Sequence, residues 1–373
     1  GFRVESVTPV KTFEATAYEM THGASGARAL HIHSGDPENL FSINFPTPPP
    51  DDTGLPHILE HAVLAGSEKF PVREPFFEMI KTSAATFINA MTGPDCTYYP
   101  VASNVRKDLF NLAEVYFDAV FHPLLTEETF LREGHHLHPV DMSDPQKGFT
   151  ISGIVYNEMK GAFSDPEMRL WRRTANDVLP DTVYGRESGG DPTHIPDLTY
   201  DSFRKFHGAY YHPSNSYIFL YGNIPTSEYL AFLESRLAPF SRIDAQPDLS
   251  RQTPWNEPRL LRDAYPVSED DDTQNKTYVV SSWLAGNALD ADEVIFMRVL
   301  DRILFGNEAA LLRKALIDSR LGQDLSLCGS YEAGMDIIFR IGIKGSEPDR
   351  LEAFVSLVRE TLEKIARQVY ELL

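Results

Sequence analysis

Two histidines stand four residues apart in Gly54-Leu55-Pro56-His57-Ile58-Leu59-Glu60-His61-Ala62-Val63-Leu64, with Glu60 directly before the second. On an α-helix, positions i and i+4 lie one above the other, so both imidazoles can be aimed at a single ion. Glu60 then projects beside that ion without having to ligate it, where a general base could take a proton from water. The order His-x-x-Glu-His inverts the commoner His-Glu-x-x-His and keeps the same chemical roles. The spacing also arises by chance on ordinary solvated helices, so its setting matters. Pro56 suits a first helical turn, Gly54 loosens the entry, and Ile58, Leu59, Val63 and Leu64 make the other faces apolar. A buried helix with two histidines and a glutamate needs partners for them.

The elements that must position this helix can be read on either side of it. Alternating residues over 13–20, 27–33 and 40–45 predict three strands forming an antiparallel meander. His31 and His33 share one face of the middle strand and read as exposed strand histidines rather than a metal pair. The proline run 46–50 and Asp51-Asp52-Thr53 lead into the metal helix as a stiff loop. A short helix over 74–80 follows, then a strand over 86–92, a Gly93-Pro94-Asp95 turn and a returning strand over 96–102. Pro100, which lacks an N–H, predicts an edge position for that returning strand. Apolar residues at helical spacing over 105–121 end before Pro123. His135, His136 and His138 suit neither one helix face nor a finger and read as surface or outlying groups.

The segment 151–161 predicts a helix carrying Glu158 among apolar neighbours. An unpaired carboxylate there would be costly, and coordination to a metal or an ion pair with Lys160 or Arg169 would each relieve it. From this segment alone the ion pair is the simpler reading. A helix over 198–211, a strand over 215–221 and a helix over 226–237 complete the first part. Residues 239–258, rich in Pro, Asp, Gln and Ser, predict a linker between a domain over 1–238 and a second over 259–373. In the second part a strand is expected over 277–284, helices over 291–304 and 309–317, strands near 324–331 and 336–343, and a long helix from Asp349. This order repeats the first part without a second His-x-x-Glu-His. The last helix meets no stop signal before Leu373, so the second domain is expected to be incomplete.

Composition sets the outer limits. The 373 residues, 42% of them hydrophobic, can bury sizeable cores and suggest two domains in a soluble protein. A formal net charge of −20 argues against nucleic acid or an anionic membrane as partner and is compatible with cationic substrates. Cys96 and Cys328, the only two cysteines, leave no disulfide framework and no thiolate cluster. They fit a reducing compartment, a bacterial cytoplasm or an organelle matrix. No apolar run approaches a membrane span, and the start at Gly1-Phe2-Arg3 suggests a processed or trimmed product.

These residues resemble the insulinase or pitrilysin type of inverted zinc peptidases, most closely the presequence-protease branch. The likeness rests on Gly-Leu-Pro-His-Ile-Leu-Glu-His at 54–61, Glu-Pro-Phe at 74–76, Phe-Ile-Asn-Ala-Met-Thr at 87–92 and Tyr-Pro-Val-Ala-Ser at 99–103. It continues in Tyr-Asn-Glu-Met-Lys-Gly at 156–161 and Gly-Asp-Pro-Thr-His-Ile-Pro-Asp-Leu-Thr-Tyr at 190–200. The resemblance implies an α+β fold of duplicated domains, each an antiparallel sheet packed with helices, forming one half of a clamshell. It implies one zinc per chain held by His57, His61 and Glu158, with Glu60 as the catalytic base, which displaces the ion-pair reading of Glu158. It further implies unfolded peptides as substrates, bound by main-chain pairing along the strand of Phe87, Asn89, Ala90 and Met91. A downstream C-terminal half would close over the site and supply further substrate contacts. A non-catalytic subunit of the same fold is the rival reading, against which the intact His57, Glu60, His61 and Glu158 weigh.

Overall fold

The computed structural model describes residues 1–245 and 247–372, without the side chains of residue 145 and residues 368–372. Position 246, inside the expected linker, and Leu373, the expected end of the last helix, lie outside the described residues. In chain order the elements begin β1 (Phe2–Val10), β2 (Ala15–His22), β3 (Arg28–His33), β4 (Asn39–Pro46), α1 (Leu55–Val63) and α2 (Pro75–Thr82). They continue with β5 (Phe87–Ile88), β6 (Met91–Thr92), β7 (Cys96–Ser103), α3 (Arg106–Phe121), α4 (Glu127–Glu133), β8 (His136–Pro139) and β9 (Phe149–Ser152). Then come α5 (Ile154–Ala162), α6 (Pro166–Val178), α7 (Tyr200–Tyr210), β10 (Tyr217–Gly222) and α8 (Thr226–Leu237). The last are β11 (Thr277–Asn287), α9 (Ala291–Phe305), α10 (Leu311–Ser319), β12 (Asp324–Leu325), β13 (Gly329–Ala333), β14 (Asp336–Ser346) and α11 (Leu351–Leu372). They fold as two compact units, Gly1–Lys160 with Arg186–Leu249, and Gly161–Gly185 with Ser250–Leu373.

The first unit is built on a sheet in the order β1-β2-β3-β10-β4-β7-β5, with β6 also paired to β7. The meander expected from sequence is interrupted. β2 and β3 pair directly, but β10 lies between β3 and β4, parallel to the first and antiparallel to the second. Ile218 and Leu220 of β10 are fully buried while its alternate residues are half-buried, so this strand gains most from a central position. Phe41, Ile43, Phe45, Tyr99 and Val101 share the helix-covered face. There Phe45 meets Phe121 at the end of α3 and stacks on Tyr211 after α7, and Phe41 meets Phe232 of α8.

Strand β7 is interior, not an edge as Pro100 suggests, because it pairs with β4 on one side and with β5 and β6 on the other. The Pro100 carbonyl accepts the Asn89 N–H at 3.3 Å. A strand residue directs its N–H and C=O the same way, so the missing donor of Pro100 faces the gap between β5 and β6. The proline is accommodated by breaking the neighbouring strand.

The second unit has a sheet in the order β11-β14-β12, with β13 on β14. Ile337, Phe339, Ile341 and Ile343 of β14 pack with Met297 and Leu304 of α9, Leu312 and Leu316 of α10, and Phe354 and Val358 of α11. Ile338, on the opposite face by the two-residue period, packs with Ala175 and Val178 of α6 and with Leu179 and Tyr184. This second apolar face explains why Gly161–Gly185 belong to the second unit, although sequence places them in the first domain.

His31 is fully buried, not exposed, and its Nδ1 lies 2.8 Å from Thr226 Oγ1 at the start of α8. Burial, then the neighbouring His33, lowers its pKa from 6.5 to about 4, with the Gly222 carbonyl pulling weakly the other way. As pH falls, the unfolded chain therefore takes up the proton first, so stability present above pH 6.5 is lost toward pH 4. At 1.4 kcal/mol per unit the loss reaches roughly 3 kcal/mol. Urea midpoints should fall across this window, and His31→Gln should flatten that fall.

Candidate metal centre

Helix α1 starts abruptly. Gly54 caps it at φ 69°, a left-handed conformation that glycine adopts without strain, and Pro56 occupies the first turn. Leu55, Ile58, Leu59, Ala62 and Val63 are buried, which leaves the helix only one face for His57 and His61. The His57 and His61 side chains are 12% and 26% exposed, and Glu158 on α5 is 55% exposed. Glu158 Oε2 lies 3.8 Å from His57 Nε2 and 4.0 Å from His61 Nε2. One ligand atom from each of the three lies within 4.8 Å of the others. Bonds of about 2.0–2.1 Å at tetrahedral angles would place donor atoms roughly 3.3 Å apart, so the three would have to close in slightly around an ion. The donor set fits a transition metal.

The far side of each imidazole supports the same reading. His57 Nδ1 lies 3.0 Å from the Gly189 carbonyl, which can only accept, so Nδ1 carries the hydrogen and Nε2 offers its lone pair. His61 Nδ1 lies 3.2 Å from Glu133 Oε2 at the end of α4. Glu133 is 5% exposed, and Arg132 Nε donates to its other oxygen at 2.9 Å. Burial alone would raise the Glu133 pKa, but hydrogen bonds and charge from His61 and Arg132 outweigh it and hold the carboxyl below its ordinary range. Burial likewise pulls His61 down, and Glu133, Glu60 and Glu158 together push it up.

Glu60 is 8% exposed and accepts the Thr92 hydroxyl at 2.6 Å, which ties the carboxylate to β6. The expected substrate strand is two short pieces, Phe87–Ile88 and Met91–Thr92, at the edge of the sheet. Phe87, Asn89 and Met91 are exposed and Ala90 half-buried. The main chain of Asn89 is not free. Its N–H is bound to Pro100, and its carbonyl accepts the Tyr116 hydroxyl at 3.0 Å. Outward main-chain pairing is left to its neighbours. His135 and His136 bind the carbonyls of Leu198 and Leu131 and are not members of the metal-binding group.

Glu133, Thr92 and Gly189 escape a reading by sequence because each acts through a contact distant along the chain. Only burial signals Glu133, a carboxylate on a short helix otherwise anchored by Phe130.

The site brings an inverted His-x-x-Glu-His helix together with a glutamate from a second helix, on an α+β scaffold. Comparison with known proteins gives it a family. Residues 47–142, which include His57, Glu60 and His61, match the family described as Insulinase (Peptidase family M16), and residues 197–371 match Peptidase M16 inactive domain. The chain is 40% identical over 374 residues to the mitochondrial presequence protease of Xenopus laevis, covering 100% of this chain and 36% of that one. It is 38% identical over 381 residues to the chloroplastic/mitochondrial presequence protease 1 of Arabidopsis thaliana, covering 100% and 34%. A crystal structure of a protease from Helicobacter pylori superposes with a TM-score of 0.66 at 16% identity, covering 94% of this chain and 80% of the other. The chain belongs to the insulinase-type (M16) peptidase family, and it spans about a third of the length of the curated relatives it matches. No helix among the described residues is long and apolar enough to cross a membrane.

Replacing Glu133 with Gln removes the charge that faces His61 while keeping the shape of the side chain. Such outer partners typically govern about 10–100-fold in metal affinity. Chelator competition should show Glu133→Gln binding a divalent metal at least about tenfold more weakly than the parent, and the metal-free variant should melt somewhat lower because the buried ion pair with Arg132 is lost.

Proposed function

We propose that this chain is the zinc-bearing part of an endopeptidase that hydrolyses unfolded peptides, with His57, His61 and Glu158 as ligands of one zinc and Glu60 as general base. The observation that carries this reading is the convergence of three donor atoms from two helices beside a buried glutamate tied to the sheet edge. Zinc, when bound, supplies the Lewis acidity that makes water a nucleophile near neutral pH and stabilises the developing oxyanion. Glu60 takes the proton of the attacking water and returns it to the leaving amine. Thr92 occupies Glu60 Oε2, which leaves Oε1 for that transfer. The peptide lies along the edge formed by 87–92, against the exposed Phe87 and Met91 and the Asn89 and Ala90 between them. Pairing to main chain gives affinity with little sequence preference.

The first compact unit holds the proposed ligands and base, and the second is its homologous companion without the motif. Because the matched relatives are longer, a further C-terminal half is the proposed partner that closes over the peptide and limits its size. A soluble compartment, a bacterial cytoplasm or an organelle matrix, fits this role. A non-catalytic binding subunit is disfavoured by the intact quartet.

Glu158→Ala should lose the zinc that the parent retains on dialysis, and zinc retained by that variant would remove Glu158 from the ligand set. In the complete enzyme, Glu60→Gln should keep its zinc and lose at least about a hundredfold in kcat. Near-parental turnover would place the base elsewhere. Alone, the present chain should hold zinc yet cleave an unstructured peptide at least about a hundredfold more slowly than after addition of the downstream half, because positioning is absent. Equal rates would show that it is self-sufficient.

A further inference from the structure

The turn that orients His57 is itself gripped from just ahead of the metal helix. Asp52 Oδ1 accepts the Glu187 N–H at 2.7 Å, and the Asp52 carbonyl accepts the Asp191 N–H at 2.8 Å, so one residue holds both ends of the 187–191 turn. Within it, the Gly190 N–H donates to the Glu187 carbonyl at 3.0 Å and the Gly189 N–H to Glu187 Oε1 at 3.2 Å. The Gly189 carbonyl then meets His57 Nδ1. The turn also fits closely against both ligand-bearing helices. A Cβ on Gly54, at the start of α1, would lie 2.7 Å from Gly190 Cα. One on Gly189 would lie 2.9 Å from the end of Met159, the residue after Glu158 on α5.

We infer that Asp52 is a positioning residue for the metal centre: by gripping the 187–191 turn it keeps the Gly189 carbonyl on His57 Nδ1, and so fixes which nitrogen faces the ion and in what direction. This rests on the zinc-site reading above. Removing the Asp52 carboxylate frees the Glu187 N–H and releases one end of the turn. The imidazole can then rotate or exchange its hydrogen between ring nitrogens. Zinc must select the competent fraction, which weakens apparent affinity by that fraction. Neutral Asn keeps an acceptor oxygen in place, so the grip survives without the charge.

The test uses this chain with zinc and a competing chelator. Asp52→Ala should raise the zinc Kd about tenfold, the lower end of the range for partners that orient metal-binding histidines, while Asp52→Asn stays within about twofold of the parent. In the metal-free protein, 15N shifts of the His57 ring should show hydrogen on Nδ1 in the parent and Asp52→Asn, and a mixture in Asp52→Ala. A purely architectural role would lower the melting temperature of Asp52→Ala and leave the zinc Kd and ring shifts unchanged, which overturns the inference. Equal weakening in Asp52→Asn and Asp52→Ala would also overturn it, by assigning the effect to charge. Should Asp52→Ala not fold, Asp52→Ser, too short to reach Glu187, carries the same criteria. A parent that binds no zinc would sink the zinc-site reading itself, whereas a zinc-binding parent with an unaffected Asp52→Ala sinks only this inference.

Discussion

An imidazole can offer a lone pair only from the nitrogen that carries no hydrogen, and both histidines on α1 have that choice settled by oxygens on their far side. Much of the first unit serves this requirement. The Gly189 carbonyl reaches His57 only because Gly54 and Gly190 lack the side chains that would hold the backbones apart. Glu133 reaches His61 from a helix whose other buried anchor, Phe130, seats it in the core, and His61 together with Arg132 holds the buried carboxyl below its ordinary range. Glu158, in contrast, stands more than half exposed on α5. Two of the proposed donors are thus oriented from behind by hydrogen bonds, while the third is more exposed.

Glu60, the proposed general base, is bound into a different layer. Through Thr92, Glu60 is joined to β6, and β6 exists as a separate short piece because Pro100 interrupts the strand beside it. A proline that a local reading assigns to a sheet edge instead shapes the edge one strand further out. The Tyr116 hydroxyl, which burial and then the charge of Glu60 keep protonated, fills the break by donating to the Asn89 carbonyl.

Legibility in the sequence divides along the distance at which each interaction acts. The helical spacing of His57 and His61, the boundaries of α7 and α8, and most elements from β11 onward follow from periodicity within a short window. The one strand expected near 324–331 is nevertheless two, β12 and β13, and α6 has no counterpart in the sequence reading. Glu158 becomes a metal-binding candidate only through the family likeness, since nothing in its own helix separates ligation from an ion pair. The insertion of β10 between β3 and β4, the burial of His31 and the affiliation of α6 depend on pairings between distant segments, to which local pattern is blind. Asp52, Glu133 and Gly189 belong to the same class, because their chemistry lies in what they touch and not in their spacing.

An exposed strand edge is a template for any extended chain, including another copy of the same protein. Here it is cut into two-residue lengths by Pro100, with the intervening Asn89 main chain already bound inward. Two residues offer too little ladder to recruit a neighbour into a continuous intermolecular sheet. At this edge of the sheet the interruption therefore works against pairing with a second copy, whereas β1 at the opposite edge runs for nine residues.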